Sequence, residues 1–109
     1  MTDKRRFLER ANHAQILASA KQEIDLNNLR NTWGDDFNTL IIINTDATSP
    51  INIYIDGINI AYITANNGTF SFDWEFGLNY NFLSIENTNA GAAIAADAIK
   101  ISVGRSGGK

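Results

Sequence analysis

Between residues 37 and 104, apolar and polar side chains alternate in short runs that predict β-strands. Ile51, Ile53 and Ile55 alternate with polar or aromatic neighbours, and Ile99 and Ile101 repeat the pattern near the end of the chain. A period of two puts alternate side chains on opposite faces of a strand, so that one face can be buried. The pattern predicts six strands, near residues 37–44, 51–56, 58–63, 70–74, 78–86 and 98–103.

Turn-forming residues separate these strands. Asp56-Gly57 is a strong hairpin signal, because a tight two-residue turn requires positive φ at both positions. Asn66-Asn67-Gly68 predicts the next turn. Six short strands with turns between them indicate a mainly β fold, a single antiparallel β-sandwich of the jelly-roll or immunoglobulin-like type, or a small barrel.

The first segment has a different pattern, which predicts an amphipathic α-helix from Asp3 to about Glu23. This stretch has no Gly or Pro and is rich in residues that favour helices. A narrow apolar seam follows from residues spaced by four, three and four positions. The seam suits either packing across the chain's own β-domain or docking on another protein. Its members are Phe7, Ala11, Ala14 and Ala18.

These patterns predict a division of the chain into three parts. Residues 1–36 form an N-terminal helix and linker that serve as a docking or oligomerisation arm. Residues 37–104 form the β-sandwich domain, and the Gly-rich residues 105–109 form a flexible tail. With 109 residues the chain fits one domain.

Composition excludes several classes of site. The chain has no Cys and a single His, so thiolate zinc sites, iron–sulfur sites, cysteine nucleophiles and sites with two imidazoles are excluded. No run approaches the ~20 apolar residues of a membrane span, and polar residues interrupt any signal-like stretch near the start. We therefore expect no membrane partner and no signal peptide.

Charge is distributed unevenly along the chain, whose net charge is −3. From Asn31 to Ile99 there is no Lys or Arg, whereas basic residues are concentrated near the start. Phosphate contacts need cationic side chains, so nucleic acid is a poor partner for the acidic body. The helix is predicted to contact a partner protein through Arg5, Arg6 and Arg10.

The candidate catalytic groups are few. Asp73 and Glu75 are two positions apart on a predicted strand, and Asp56 lies in a hairpin turn. Paired carboxylates can perform acid–base hydrolysis at the right separation, but exposed strand carboxylates are far commoner. His13 has no Ser or Asp relay nearby in sequence. We therefore predict no enzymatic activity and no cofactor.

Two kinds of ligand remain as alternatives. An aromatic platform with amide neighbours would suit a carbohydrate, and its candidates are Tyr54, Tyr62, Phe72, Trp74 and Tyr80. Hard oxygen ligands in loops would suit calcium. Their candidates are Asp35, Asp36, Asp46, Asp56, Asp73 and Glu75.

The strand and turn sequences resemble those of small β-sandwich accessory proteins of tailed bacteriophage virions, such as capsid decoration or cement proteins and neck or fibre components. The similarity runs from Ile43-Asn44-Thr45-Asp46 to Ile99-Lys100-Ile101-Ser102-Val103-Gly104. It implies a non-enzymatic structural protein, made in the host cytoplasm and located in the virion. It also implies homo-oligomers, with a trimer as one form, and a major capsid or neck protein as partner. The main alternative is a carbohydrate- or calcium-dependent binding module.

Overall fold

The structure is a computed structural model that describes residues 7–27, 39–73 and 81–105. The regular secondary structure of these residues is almost entirely β-strand, and only Leu26 and Asn27 have helical conformation. No helix in these ranges is long and apolar enough to cross a membrane. The strands are β1 (Phe7–Ala11), β2 (Lys21–Asp25), β3 (Thr39–Asn44), β4 (Ile51–Ile55), β5 (Ile58–Ile63), β6 (Gly68–Asp73), β7 (Phe82–Asn87) and β8 (Ile99–Arg105).

The strands form two four-stranded antiparallel sheets. The first sheet has the order β1-β8-β3-β6 and the second has the order β2-β7-β4-β5. Successive strands therefore cross repeatedly from one sheet to the other, and this strand order is that of a jelly roll built from two Greek keys. The predicted mainly β architecture is confirmed.

One apolar core lies between the sheets. Leu40 and Ile42 from the first sheet and Ile53 and Ile85 from the second are fully buried in the same cluster. Their neighbours along each strand are more exposed, which is the alternation expected when each sheet has one face against the core. The alternating isoleucines of the sequence are therefore core residues.

The sheet order contains an internal repeat that relates β1–β4 to β5–β8. In this repeat β1 corresponds to β5, β2 to β6, β3 to β7 and β4 to β8. Exchanging each strand of the first sheet, β1-β8-β3-β6, for its counterpart gives β5-β4-β7-β2, which is the second sheet read backwards. Residues 39–51 and 82–94 also match without a gap in sequence, with Leu, Ile, Asn, Thr, Ala and Ile at equivalent positions. The two halves therefore share a topology and a sequence signature.

A buried asparagine marks the same point in each half. Asn44 ends β3 and Asn87 ends β7, and both side chains are fully buried. The Asn44 Nδ2 donates to the carbonyl of Ser49 at 2.8 Å, and the Asn87 Nδ2 donates to the carbonyl of Ala92 at the same distance. Each side-chain oxygen accepts a backbone N–H two residues later. Equivalent amides thus shape two of the connections between the sheets, β3 to β4 and β7 to β8.

Both predicted turns lie where the sequence places them. Asp56 and Gly57 have φ of 49° and 84°, so the Asp-Gly turn connects β4 to β5 with positive φ at both positions. Asn66 and Asn67 also have positive φ, before β6 begins at Gly68. A Cβ at Gly68 would stand 2.3 Å from the Thr64 carbonyl oxygen, so this position requires glycine.

The predicted N-terminal helix is wrong. Residues 7–11 pair with β8 and residues 21–25 pair with β7, so this segment supplies an edge strand to each sheet. Helix-favouring residues predicted a helix, but their propensity is weak compared with the pairing and burial available in a sheet. The residues that the sequence assigned to an arm thus complete the jelly roll.

Strand periodicity is present in that segment but is partly hidden. Ala11 and His13 are both buried and lie two positions apart, as do Ile24 and Leu26. Because His13 is polar, a search for apolar periodicity does not recognise it as a buried position. The start of the predicted helix (residues 3–6), most of the predicted tail (residues 106–109) and the predicted start of a strand at Leu78 lie outside the described residues.

We predict that Asn87→Ala and Asn44→Ala each lower the free energy of unfolding by about 3 kcal/mol, because buried carbonyls lose their donors. Urea unfolding followed by circular dichroism measures the loss. Asn12→Ala is the control, since the Asn12 side chain is exposed, and we expect a change within about 0.5 kcal/mol. Equal stability of all three variants would contradict a structural role for the buried amides.

Candidate functional site

The candidate catalytic carboxylate Asp56 serves the fold. Its Oδ1 accepts the backbone N–H of Phe82 at 2.9 Å and that of Asn81 at 3.1 Å. It therefore attaches the hairpin turn to the start of β7. The side chains of Asp73 and Glu75 lie outside the described residues, so their predicted pairing stays a prediction.

His13 is a buried connector between β1 and β8. Its Nε2 accepts the backbone N–H of Ile99 at 3.0 Å, and its Nδ1 lies 2.7 Å from the carbonyl of Ala14. A carbonyl only accepts, so Nδ1 carries the proton and the imidazole is neutral. Asp97 accepts the backbone N–H of His13 at 2.8 Å. Both ring nitrogens are therefore occupied by backbone groups, and the ring has no free nitrogen for proton transfer.

The loop carboxylate Asp46, a candidate calcium ligand, also binds backbone. Its Oδ2 accepts the N–H groups of Ser49 at 2.8 Å and Thr48 at 3.1 Å. Among the described residues, no group of three or more His, Cys, Asp or Glu side chains is placed to hold a metal ion. The candidates Asp35 and Asp36 lie outside these residues.

A shallow concavity lies between β1 and the start of β8. Its volume is about 190 Å³, and its lining residues are Ala11, Asn12, Asp97, Ile99 and Lys100. Pockets for small molecules usually measure roughly 300–1,000 Å³. This concavity is therefore smaller than a typical substrate pocket.

The described members of the predicted partner-binding set, Ala11, Ala14 and Ala18, do not share one face. Phe7, Arg10 and Ala11 lie in β1, where Ala11 is buried. Ala14 and Ala18 are exposed in the connection to β2. Arg5 and Arg6 lie outside the described residues. A strand turns successive side chains to opposite faces, so the helical spacing of four, three and four no longer gathers these residues.

The outer face of the second sheet presents aromatic and polar side chains in ordered rows. In one row the cross-strand partners are Lys21, Glu86, Asn52 and Tyr62, in that order across β2, β7, β4 and β5. The next row on this face contains Tyr54 on β4, and the row after it contains Phe82 on β7. Tyr62, Tyr54 and Phe82 therefore lie on successive strands, each one row further along, and we call them the aromatic diagonal.

A hydrogen-bonded network holds the centre of this face. Glu86 Oε1 accepts the Tyr54 hydroxyl at 2.9 Å and the Asn52 amide at 3.1 Å. Lys21 Nζ stands 4.0 Å from the centre of the Tyr54 ring, in cation–π contact. These side chains hold Tyr54 in place between Lys21 and Asn59.

The network shifts two pKa values in opposite directions. Hydrogen bonds from Asn52 and then Tyr54 lower the pKa of Glu86, with the Lys21 charge adding to them. The hydrogen bond to Glu86 raises the pKa of Tyr54, and the Glu86 charge adds to that effect. Both shifts favour the ionised carboxylate beside the neutral phenol.

Apolar exposure is concentrated beside this face. Ile58 is 69% exposed, Ile60 37% and Tyr62 60%, and all three lie on β5. We call them the apolar edge. Phe82 is 39% exposed at the far end of the aromatic diagonal. Isolated exposed apolar residues are ordinary, but a contiguous group marks a candidate contact surface.

The sequence indicated part of this surface. Tyr54 and Tyr62 were candidates for a carbohydrate platform, and the structure places both on one face. The side chains of Phe72, Trp74 and Tyr80 lie outside the part of the chain that the structure describes. The exposure of Ile58 and Ile60 was missed, because apolar alternation in β5 predicts burial. The absence of charged residues from β5 does not identify it as an edge, because the interior strands β3 and β4 also contain none.

Comparisons with known protein families, with curated proteins and with solved structures found no match for this chain.

We predict that Tyr54→Phe raises the pKa of Glu86 towards its ordinary value of 4.5, because one hydrogen-bond donor is lost. Because the pKa of Glu86 is lower in the folded protein, Glu86 stabilises the fold at pH values above its pKa in the unfolded chain. This stabilisation is lost as the pH falls through the pKa of the folded state. NMR titration of the carboxyl carbon measures the shift. Tyr62→Phe is the control and should leave Glu86 unchanged. The same titration curve in wild type and Tyr54→Phe would contradict the network.

Proposed function

We propose that this chain is a non-enzymatic structural protein of a tailed-phage virion, an accessory subunit of the capsid or neck that binds a larger assembly and other copies of itself. The observation that carries the proposal is the apolar edge, where three apolar side chains are exposed on the edge strand β5. Jelly rolls occur in viral capsid proteins and also in lectins, so the fold alone does not decide the function.

The use of the polar groups supports a binding role over a catalytic one. Asp46, Asp56 and His13 each bind backbone groups that would otherwise lack partners. Side chains with this task hold connections in place and are not free to exchange protons with a substrate. What the described surface offers a partner is a flat sheet face and an apolar edge.

The charge of the chain favours a protein partner over nucleic acid. Residues 31–99 contain no Lys or Arg, and the acidic body would repel nucleic acid. A capsid or neck protein with a neutral or basic docking surface is complementary to it. The basic residues near the start of the chain, Arg5 and Arg6, remain candidates for additional charge contacts.

The test is the protein content of tailed-phage particles from the source of the sequence, purified through a density gradient and analysed by quantitative mass spectrometry. We expect peptides of this chain in the particle fraction, at a copy number comparable to that of other structural subunits. Recovery of the chain only in the soluble fraction of the lysate would contradict the proposal. An unrelated abundant host protein, measured in the same fractions, controls for contamination.

A second candidate function is carbohydrate binding, which the aromatic diagonal favours. Tyr62 exposes its ring beside the Asn52 amide, and ring faces with adjacent amides suit a sugar. The carboxylates of Glu23 and Glu86 on the same face make neutral sugars better ligands than acidic ones.

An array of neutral and acidic oligosaccharides tests this second candidate, with any hit measured by calorimetric titration. We expect binding to neutral sugars, and Tyr62→Ala should weaken it at least about tenfold, or about 1.4 kcal/mol. Thr69→Ala on the other sheet is the control and should bind as wild type does. An array without neutral hits would contradict carbohydrate binding.

A further inference from the structure

We infer that β5 is the contact between two copies of this chain, which meet antiparallel about a two-fold axis beside Ile60. The inference deepens the proposed function, because it rests on self-association and names the surface responsible.

The sequence of β5 distinguishes it from the other edge strands. β5 reads INIAYI and contains no charged residue, and it ends the order of its sheet among the described strands. The equivalent strand of the other half, β1, contains Glu9 and Arg10. β2 contains three charged residues, and β6 ends at Asp73. Charged residues protect edges against pairing with other chains, and β5 lacks this protection.

The exposed side chains of β5 are those that a contact would bury. Ile58 is the most exposed large apolar side chain on this strand, and Tyr62 is nearly as exposed at the other end. Ile60 lies between them. Removing three neighbouring apolar side chains from water favours association.

A bulge in β5 restricts the choice of partner. Asn59 pairs with Tyr54 and Ala61 pairs with Ile53, so Ile60 is an extra residue between two neighbouring rungs of the ladder. A bulge bends a strand and increases its twist, and it discourages pairing with a regular strand. A second β5 carries the same increased twist, which two neighbouring strands have to share.

Charge also favours a second copy. The chain has a net charge of −3, so copies repel each other unless they meet at a neutral surface. Two β5 strands meet without any charged side chain at the contact. An antiparallel arrangement about Ile60 encloses Ile58 and Tyr62 at the two ends of the contact, Ile58 on the side of Ile55 and Tyr62 on the side of Asn52. The two-fold arrangement uses one surface on both copies and closes as a dimer.

Sedimentation velocity over a concentration series tests the inference. We expect wild type to reach twice the 12.0 kDa mass of one chain. Ile58→Lys should weaken dimerisation at least tenfold, because it places two like charges in the contact. Leu17→Lys is the matched control, since Leu17 is 61% exposed on a different part of the molecule, and it should dimerise as wild type does. Circular dichroism establishes that each variant is folded.

A single cysteine provides a second readout, because the chain contains none. Opposite residues in an antiparallel pair lie about 4.5–5.5 Å apart at Cα, within the separations of roughly 4.4–6.8 Å that a disulfide spans. Ile60→Cys lies beside the axis, so mild oxidation should link it to its own copy in the second chain. Leu17→Cys should stay mostly monomeric on the same non-reducing gel.

The outcomes separate this inference from the proposed function. A wild-type protein that stays monomeric at all concentrations overturns the inference. The inference also fails if the Ile58→Lys variant has the same dimer mass as wild type and the Ile60→Cys variant does not cross-link. Oligomers that survive both changes place self-association on another surface and leave the virion role intact. A β5 dimer absent from phage particles supports the inference and removes the virion role.

Discussion

The jelly roll depends on two buried amides that must be hydrogen-bonded. Asn44 leads the chain from the first sheet into β4 of the second, and Asn87 leads it from the second sheet into β8 of the first. An amide buried without partners is costly, so each loop must place its carbonyls where the amide can reach them. The shape of these two crossings follows from this requirement, and the isoleucine core fills the space between the sheets.

The internal repeat explains why these crossings look alike and where the halves differ. Thr45 and Thr88 follow the two asparagines, and each donates through its backbone N–H and its hydroxyl to one carbonyl in the other half. Thr45 donates to Ala98, which precedes β8, and Thr88 donates to Pro50, which precedes β4. The second half adds residues before β8, and His13 and Asp97 bind the chain there. The edges differ more, since β1 carries charges and β5 carries none. A shared frame therefore presents two unlike edges to its surroundings.

The sequence predicted the six strands from β3 to β8 because their signals are local. An Asp-Gly turn or an alternating isoleucine run needs no distant partner to be recognised. β1 and β2 depend on distant strands, β8 and β7, and their own residues favour a helix. The repeated Asn-Thr motif of residues 44–47 and 87–90 carried the missing information. If β3–β4 resembles β7–β8, then two strands like β5 and β6 should precede β3.

The outer face of the second sheet and the apolar edge could be predicted only in part, because local signals do not encode the order of the strands. Alternation identifies Tyr54 and Asn52 as facing away from the buried isoleucines, so their shared face follows from sequence. Whether an apolar strand such as β5 lies at the centre or the edge of a sheet depends on the strand order, which alternation does not encode. Ile53 in β4 and Ile60 in β5 occur in similar patterns, yet Ile53 is buried between strands and Ile60 sits in a bulge at the rim. The strand order makes the first a core residue and leaves the second exposed at the edge, which is why the exposed surface of β5 emerges only once the two sheets are assembled.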